Sequence, residues 1–374
     1  MDKQRRRLLQ AGLLGGAAAA GGIGGTAAYA EAATAGTMSR KPLRLLVLGG
    51  TGFIGPHMVR EALRRGHTVE LFNRGRTNDD IFPDLTTYLG DRNNDLDALR
   101  GGRWDVVIDN SGYVPRHVAD SARLLSSLAD HYIYVSSISA YADLGSPVDE
   151  DAPLATLADE TVEEVTNETY GPLKALCEQR AAAEFGADRL AILRPTYICG
   201  PGDRTDRYTY WPVRAARGGE MLWPGTRADL LQIIDVRDLA NFVVDVAEQR
   251  NTGAFNTVTP PGSFTMGDLL TDVSAVTTAD MTPVWVEPEF LEAERALEGG
   301  GIPIWFPPQP DLAHAARVSG ERAFAAGLVN RPTRETARDT LRWWRTLPAE
   351  RTATLRAGLS AEEESALLAK WRAR

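Results

Sequence analysis

Two side chains able to move a proton stand four residues apart in Tyr170-Gly-Pro-Leu-Lys174. On a helix that spacing brings a phenol and an ammonium onto one face. Pro172 lies between them, which a helix tolerates in its first turn, where N–H groups have no intrahelical partner to lose. The segment therefore predicts a helix that starts near Tyr170. A tyrosine is a poor base near neutral pH, its unperturbed pKa lying near ~10, and an ammonium one turn away favours its phenolate. Upstream, Tyr132-Ile-Tyr-Val-Ser-Ser-Ile-Ser-Ala-Tyr141 reads as a strand whose end carries the hydroxyls of Ser136, Ser137 and Ser139. Together these groups have the chemistry to take a proton from a carbinol or return one to it. Taken alone, such a Tyr/Lys pair is usually a surface pair, and serines at a strand end are usually caps or turn formers.

The elements that would position this chemistry begin with Leu43-Arg-Leu-Leu-Val-Leu-Gly-Gly-Thr-Gly-Phe-Ile-Gly55, followed by the helical-looking His57–Arg65. A buried strand that stops on glycines and opens a helix builds a dinucleotide pyrophosphate site. Gly49 permits the tight turn, Gly52 lets backbone approach phosphate, and Gly55 lets helix and strand pack closely. Thr51, Phe53 and Ile54 complete the turn, and the free N–H groups at the helix start face the pyrophosphate. The second strand, Thr68-Val-Glu-Leu-Phe72, runs into Asn73-Arg-Gly-Arg76. A fold selecting NAD usually offers a carboxylate here to the adenosine ribose. Asn73 with Arg74 and Arg76 suits a 2′-phosphate instead, through charge-assisted hydrogen bonds. NADP is therefore the expected cofactor and NAD the alternative; the bland reading is two arginines on a solvated loop.

The glycine turn, the serine-ended strand and the Tyr/Lys helix, in this order, resemble the short-chain dehydrogenase/reductase superfamily, in its extended, epimerase- and dehydratase-like branch. The resemblance covers nearly the whole chain after about residue 42. Asp105-Val-Val-Ile-Asp-Asn-Ser-Gly112 stands where the family's fourth strand meets the cofactor, which implicates Ser111 and Gly112. Leu190–Gly202 matches the sixth strand and the loop leading to substrate, and Gln232–Ala240 and Gly253–Asn256 match later landmarks. Arg331-Pro and the helix Thr336–Trp344 fit the branch's C-terminal lobe. The resemblance implies hydride transfer at a hydroxyl or keto carbon, possible members of this class being sugars. Tyr170 would act as the acid/base and Lys174 would also hold the nicotinamide ribose. Ser137, aligned by counting back from Tyr141, would hydrogen-bond the substrate oxygen, with Ser136 and Ser139 as neighbours able to share the task. Gly90-Asp91-Arg92 resembles the element that touches adenine, so Asp91 and Arg92 join the expected cofactor ligands.

The resemblance and the alternation of strand-like and helix-like segments to about residue 200 imply an α/β chain: a Rossmann doubly wound parallel sheet with a smaller, discontinuous C-terminal substrate lobe. The expected divisions are 42–200 for the dinucleotide domain, 201–325 mainly for the substrate lobe with return strands to the sheet, and 326–374 for C-terminal helices. At the entrance to the lobe, Gly200–Pro212 is rich in arginine and aromatics. Arg204, Arg207, Tyr208 and Trp211 could grip an anionic or sugar-bearing substrate by ion pairing and stacking; a loop packed by its own aromatics is the competing reading. Within Glu289–Pro310, Gly299–Gly301 reads as a hinge and Ile-Pro-Ile-Trp-Phe as a flap over the site or an oligomer contact, and a homodimer is one expectation. Ser360 reads as the N-cap of a C-terminal helix, with Glu362–Glu364 at its positive end.

The N-terminus bears on location. Gln4-Arg-Arg-Arg-Leu-Leu-Gln10, a Gly/Ala-rich run and the small-x-small Ala28-Tyr29-Ala30 fit a twin-arginine export signal over residues 1–30, followed by a linker over 31–41. The export machinery is then a partner and the destination periplasmic; a basic tail on a cytoplasmic reductase is the alternative. No segment is long and apolar enough for a permanent span. Free NADP(H) is not expected outside the cytoplasm, so an exported enzyme would hold its cofactor tightly and recycle it in place.

The chain carries 41 basic and 50 acidic residues. Loss of residues 1–30 removes Lys3, Arg5, Arg6, Arg7 and Asp2, leaving 37 against 49. That balance disfavours a nucleic-acid surface, although the chain also resembles the superfamily's RNA-binding chloroplast relatives, and a non-catalytic nucleotide-binding protein is a third class. Cys177 and Cys199 read as free and buried, and the five histidines show no metal-ligand spacing.

Overall fold

The computed structural model describes residues 41–374. The signal (1–30) and all of the linker (31–41) except its last residue lie outside the described residues.

Strand β1 (Arg44–Leu48) is buried after its first residue, as expected of an aliphatic run inside a parallel sheet. On one side of it lie β2 (Thr68–Asn73) and β3 (Thr87–Leu89). On the other lie β4 (Trp104–Asp109), β5 (Ala129–Val135) and β6 (Leu190–Pro195), and β10 (Gly253–Thr257) closes that edge. The order β10-β6-β5-β4-β1-β2-β3 is parallel throughout. The α/β, doubly wound class expected from sequence is the one observed.

Because strand side chains alternate, β1 feeds two cores. Leu45 and Val47 pack with Met58 and Val59 of α1 (Gly55–Arg64) and Phe242 and Val243 of α5 (Val236–Gln249). Leu46 and Leu48 pack with Val118 and Ala122 of α2 (Pro115–Leu125) and Cys177 and Phe185 of α3 (Tyr170–Phe185). The chain leaves β1 toward one edge and β4 toward the other, so their carboxyl ends flank the topological switch point where such sheets bind ligands.

The second lobe holds two parallel strand pairs, β7 (Tyr197–Cys199) with β9 (Ile233–Asp235) and β8 (Gly219–Pro224) with β11 (Met281–Val286). Around them pack α4 (Tyr210–Ala215), α6 (Met266–Ala275), α7 (Pro288–Ala293), α9 (Thr333–Trp344) and α11 (Ala361–Arg372), while α8 (Glu321–Ala325) lies on β10 and α10 (Ala349–Thr352) precedes α11. The capping box of Ser360 and Glu363 starts α11. One turn in, buried Glu364 accepts from Arg214 Nε at 2.5 Å and Leu222 N at 2.9 Å. The apolar run after Gly301 is not a flap over the site. Ile302, Ile304 and Trp305 are buried in this lobe's core, and Trp305 Nε1 donates to Asp229 at 2.8 Å. Those apolar side chains find their contacts within the chain. Both cysteines are free and buried.

A polar cluster ties β6 and β10 to α3. Arg194 on β6 donates to both oxygens of Glu178 at 3.0 and 2.7 Å, to the Tyr141 hydroxyl at 2.9 Å and to the Glu150 carbonyl at 3.0 Å. Tyr141 in turn donates to Asn256 at 2.7 Å. Every member is buried, so removing one charge strands the other. Glu178→Ala is expected to cost about 3–5 kcal/mol in urea unfolding. The double change Glu178→Met/Arg194→Met should cost less than Glu178→Ala alone; equal or greater loss would contradict this account.

Candidate active site

The glycine turn adopts the geometry its spacing implied. Gly49 has φ +92°, and a Cβ there would stand 2.7 Å from Ser111 Cβ. A Cβ on Gly55 would lie 2.5 Å from the Gly49 carbonyl oxygen, so side chains are excluded where α1 meets the strand end. Space beside Gly52 is open. No side chain caps the start of α1, and its first turn carries no acidic residue. Its N-terminal dipole is thus left for an anion. His57, in the first turn, donates from Nε2 to the Pro201 carbonyl at 2.8 Å and packs edge-on against Phe53. Burial lowers its pKa to about 4, so this neutral side chain pins the 200–202 loop to the turn. Thr51 is buried, and its carbonyl accepts from Asn78 at 3.0 Å.

Arg74 and Arg76, after β2, are exposed and form no ion pair with another described residue. Asn73 caps their loop, its Oδ1 accepting from Gly75 N at 2.9 Å. Asp91 is likewise engaged in a turn, accepting from Asn93 N at 3.0 Å. Arg92, beside it, is held within the fold. Its guanidinium is buried and meets both Asp109 oxygens at 2.5 and 2.7 Å, with a third bond to Ser121 at 2.7 Å. Burial pushes the Asp109 carboxyl up, but the Arg92 charge outweighs it and holds the group below the usual range. Arg92 therefore braces the carboxyl end of β4, where Ser111 donates to the Leu48 carbonyl at 3.1 Å, and its Nε is left without a partner among the described residues. Sequence spacing could not reveal this, because its partner lies on a different strand.

The predicted helix start is observed: Tyr170 is the first residue of α3 and Pro172 sits in its first turn. The strand read over 132–141 is shorter. It stops at Val135, and Ser137 then caps a 3₁₀ turn, Ile138–Ala140, by accepting from Ser139 N at 3.1 Å. That turn packs against the start of α3, since a Cβ on Gly171 would lie 2.2 Å from the Ser139 carbonyl. Lys174 is buried and donates to the Gly112 carbonyl at 2.9 Å and the Val135 carbonyl at 2.7 Å, joining the ends of β4 and β5. Its ammonium also lies 4.5 Å from the centre of the Tyr134 ring and 5.1 Å from that of Tyr113. The exposed Tyr113 ring stands 6.4 Å from Tyr170, a neighbour whose only sequence signal is its place directly after Gly112.

Burial raises the Tyr170 phenol above its ordinary range, and the neighbouring Tyr113 adds to this; Ser137 and the Arg207 charge pull it back in part. The phenol is thus a proton donor at neutral pH. Ser136 and Ser139 carry buried hydroxyl oxygens without a partner among the described residues.

A model of the NAD dependent epimerase/dehydratase family matches residues 45–258, more than half of the chain. The chain belongs to this family. It is 27% identical over 222 residues to the chloroplast stem-loop binding protein of 41 kDa b from Arabidopsis thaliana, covering 54% of each chain. The chain therefore spans about half the length of that relative. Its fold is similar to MoeE5 in complex with UDP-glucose and NAD (TM-score 0.56, 20% identity, 81% of this chain and 98% of that one). It is also similar to human epimerase family protein SDR39U1 with NADPH (TM-score 0.53, 20% identity, 81% and 100%).

Four residues of the substrate loop were expected to grip a ligand, and the family member at hand separates them. Tyr208 and Trp211 are buried in the second lobe's core, with Trp211 donating to the Pro303 carbonyl at 3.2 Å and packing on Trp223. They hold the lobe together, as the loop-packed-by-its-own-aromatics reading implied. Arg204 is exposed, and its carbonyl accepts from Arg356 at 2.8 Å. Arg207 is half-buried, its guanidinium 5.1 Å from the centre of the Tyr197 ring. Among the described residues no helix is long and apolar enough to cross a membrane, and no group of three His, Cys, Asp or Glu side chains converges as a metal site.

Burial lowers the Lys174 pKa to about 8 from its ordinary 10.5. Below pH 8 both folded and unfolded chains carry this proton and the burial penalty is full. Between about 8 and 10.5 only the unfolded chain keeps it, so this group makes stability rise with pH, by about 1.4 kcal/mol per unit. Urea unfolding from pH 7.5 to 9.5 should show this rising contribution in the wild type relative to Lys174→Met. Parallel pH profiles for the two proteins would contradict it.

Proposed function

We propose that this chain is an NAD(P)-dependent oxidoreductase or epimerase whose Ser137, Tyr170 and Lys174 handle the proton at a hydroxyl or keto carbon. The observation that carries this reading is the convergence of the three at the switch point. The phenol starts α3 beside Ser137, and one turn on a buried ammonium is fixed to the carboxyl ends of β4 and β5. The excluded side chains at Gly49 and Gly55 and the uncapped start of α1 fit a dinucleotide pyrophosphate there. When bound, the nicotinamide supplies the hydride acceptor or donor. Ser137 and Tyr170 hold the substrate oxygen, and Tyr170 gives or takes its proton. Lys174 presents positive charge to the phenol and, with carbonyls already satisfied, a third N–H toward the ribose. The buried setting excludes water from the proton path.

Exposed Arg74 and Arg76 support NADP through the 2′-phosphate. The similar structures carry NAD in one case and NADPH in the other. The basic start and small-x-small site in residues 1–30 support export by the twin-arginine route. That route moves folded proteins, consistent with a chain that carries its dinucleotide with it.

Three outcomes test this reading. Tyr170→Phe should lower turnover roughly 10²- to 10⁴-fold, the usual worth of a general acid/base, while dinucleotide affinity stays unchanged by fluorescence titration; undiminished turnover would remove Tyr170 from the chemistry. Arg74→Ala/Arg76→Ala should weaken NADPH roughly tenfold or more and leave NADH nearly unaffected. Equal losses for both would refute the 2′-phosphate assignment. Replacing Arg5, Arg6 and Arg7 by lysine should retain the precursor inside cells that otherwise export it; cytoplasmic wild-type protein would favour an ordinary reductase.

A further inference from the structure

The chain leaves β7 for the second lobe through Gly200-Pro201-Gly202, and this loop lies between the starts of two helices. On the α5 side, a Cβ on Gly200 would stand 3.1 Å from Val236 Cγ1 and 3.5 Å from Asp235 Oδ1. Asp235 is already engaged there, accepting from Arg237 N and Nη2 at 2.8 Å each and from Thr336 at 2.7 Å. On the α1 side, a Cβ on Gly202 would lie 3.4 Å from the Phe53 ring and 3.6 Å from His57 Nε2. The bond that joins the loop to α1 runs from His57 Nε2 to the Pro201 carbonyl, at 2.8 Å. Within the loop, Asp203 N closes a turn on the Gly200 carbonyl at 3.2 Å.

The backbone of the same α1 entry looks elsewhere. The N–H groups of Phe53 and Ile54 have no partner among the described residues, and no side chain caps the helix. Unpaired N–H groups at a helix start are where an anion binds. The short segment Phe53–His57 therefore offers its backbone to the dinucleotide and its side chains to the second lobe. A ligand that fixes this backbone also fixes the surface on which the loop rests. Loops held by few bonds open locally, and one hydrogen bond changes such an equilibrium by roughly two- to tenfold.

We propose that His57 is a positioning residue that couples the dinucleotide turn to the second lobe. With the turn occupied, His57 and Phe53 hold the loop over 200–209 in place, and the loop in turn slows release of the dinucleotide. Linkage requires both effects, because a ligand that orders the loop is bound more tightly by the ordered form to the same degree. The proposal gives the second lobe a part in retaining the cofactor. It rests on the dinucleotide reading only in that NADPH binds the glycine turn.

Hydrogen exchange of the full chain, read by mass spectrometry over residues 198–209 with and without saturating NADPH, tests the coupling. In the wild type NADPH should slow exchange in this segment several-fold. His57→Ala should abolish that slowing and release NADPH roughly two- to tenfold faster in stopped-flow fluorescence, while β5 and α3 keep their protection. His57→Phe, which keeps a ring but has no donor, should behave like His57→Ala. His57→Gln, whose amide can donate in place of the imidazole, should recover both properties, which a role in packing alone would not produce. Should His57→Ala lose protection throughout the fold, the contrast between Gln and Phe decides the matter. NADPH binding without slower exchange over 198–209 would overturn the proposal, as would wild-type behaviour of His57→Phe. Failure of NADPH to bind the wild type at all, seen in a separate titration, would strike the dinucleotide reading and the coupling together.

Discussion

A buried ammonium must be solvated by the protein itself, and the structure around α3 meets that demand for Lys174. The carbonyls of Gly112 and Val135 receive it. They are available because β4 and β5 end side by side and their next residues turn away from the sheet. The same constraint places Tyr170 one turn earlier, against the 3₁₀ turn of Ile138–Ala140. Two buried ion pairs brace this arrangement. Arg92 with Asp109 fixes the end of β4, and Arg194 with Glu178 fixes α3 against β6. Neither pair touches the proposed reacting atoms; both determine where those atoms lie.

The second constraint is the close approach of α1 to the end of β1. No Cβ fits at Gly55, and the left-handed turn at Gly49 brings the backbone against Ser111. This contact sets the helix N-terminus at the switch point of the sheet. The glycine turn and the phenol therefore lie at one end of the sheet, because both hang from adjacent strand ends, β1 and β4–β5. His57 extends the contact to the second lobe through Pro201.

Local patterns made much of this legible. The glycine turn, the start of α3 at Tyr170 and the capping residue Ser360 each depend on a few neighbouring residues, and each stands where its sequence placed it. Roles decided by distant partners were not legible. Nothing near Arg92 in sequence announces its pairing with Asp109, which the sheet brings to it. Tyr208, Trp211 and the Ile302–Trp305 run looked like ligand-gripping or covering groups, yet a lobe assembled from separate segments buries them together. Tyr113 went unnoticed because nothing in its own sequence context distinguishes it from a surface aromatic. The substrate loop was read correctly as arginine-rich, but only the fold separates Arg207 from exposed Arg204.

The central claim is that the crevice between the glycine turn and Lys174 holds a nicotinamide dinucleotide for chemistry at Tyr170. Its most direct measurement is mass spectrometry of the small molecule released when natively purified protein is denatured. The account predicts a near-stoichiometric NADP(H) peak. Protein that carries no dinucleotide, and that binds neither NADP(H) nor NAD(H) when these are supplied, would contradict it.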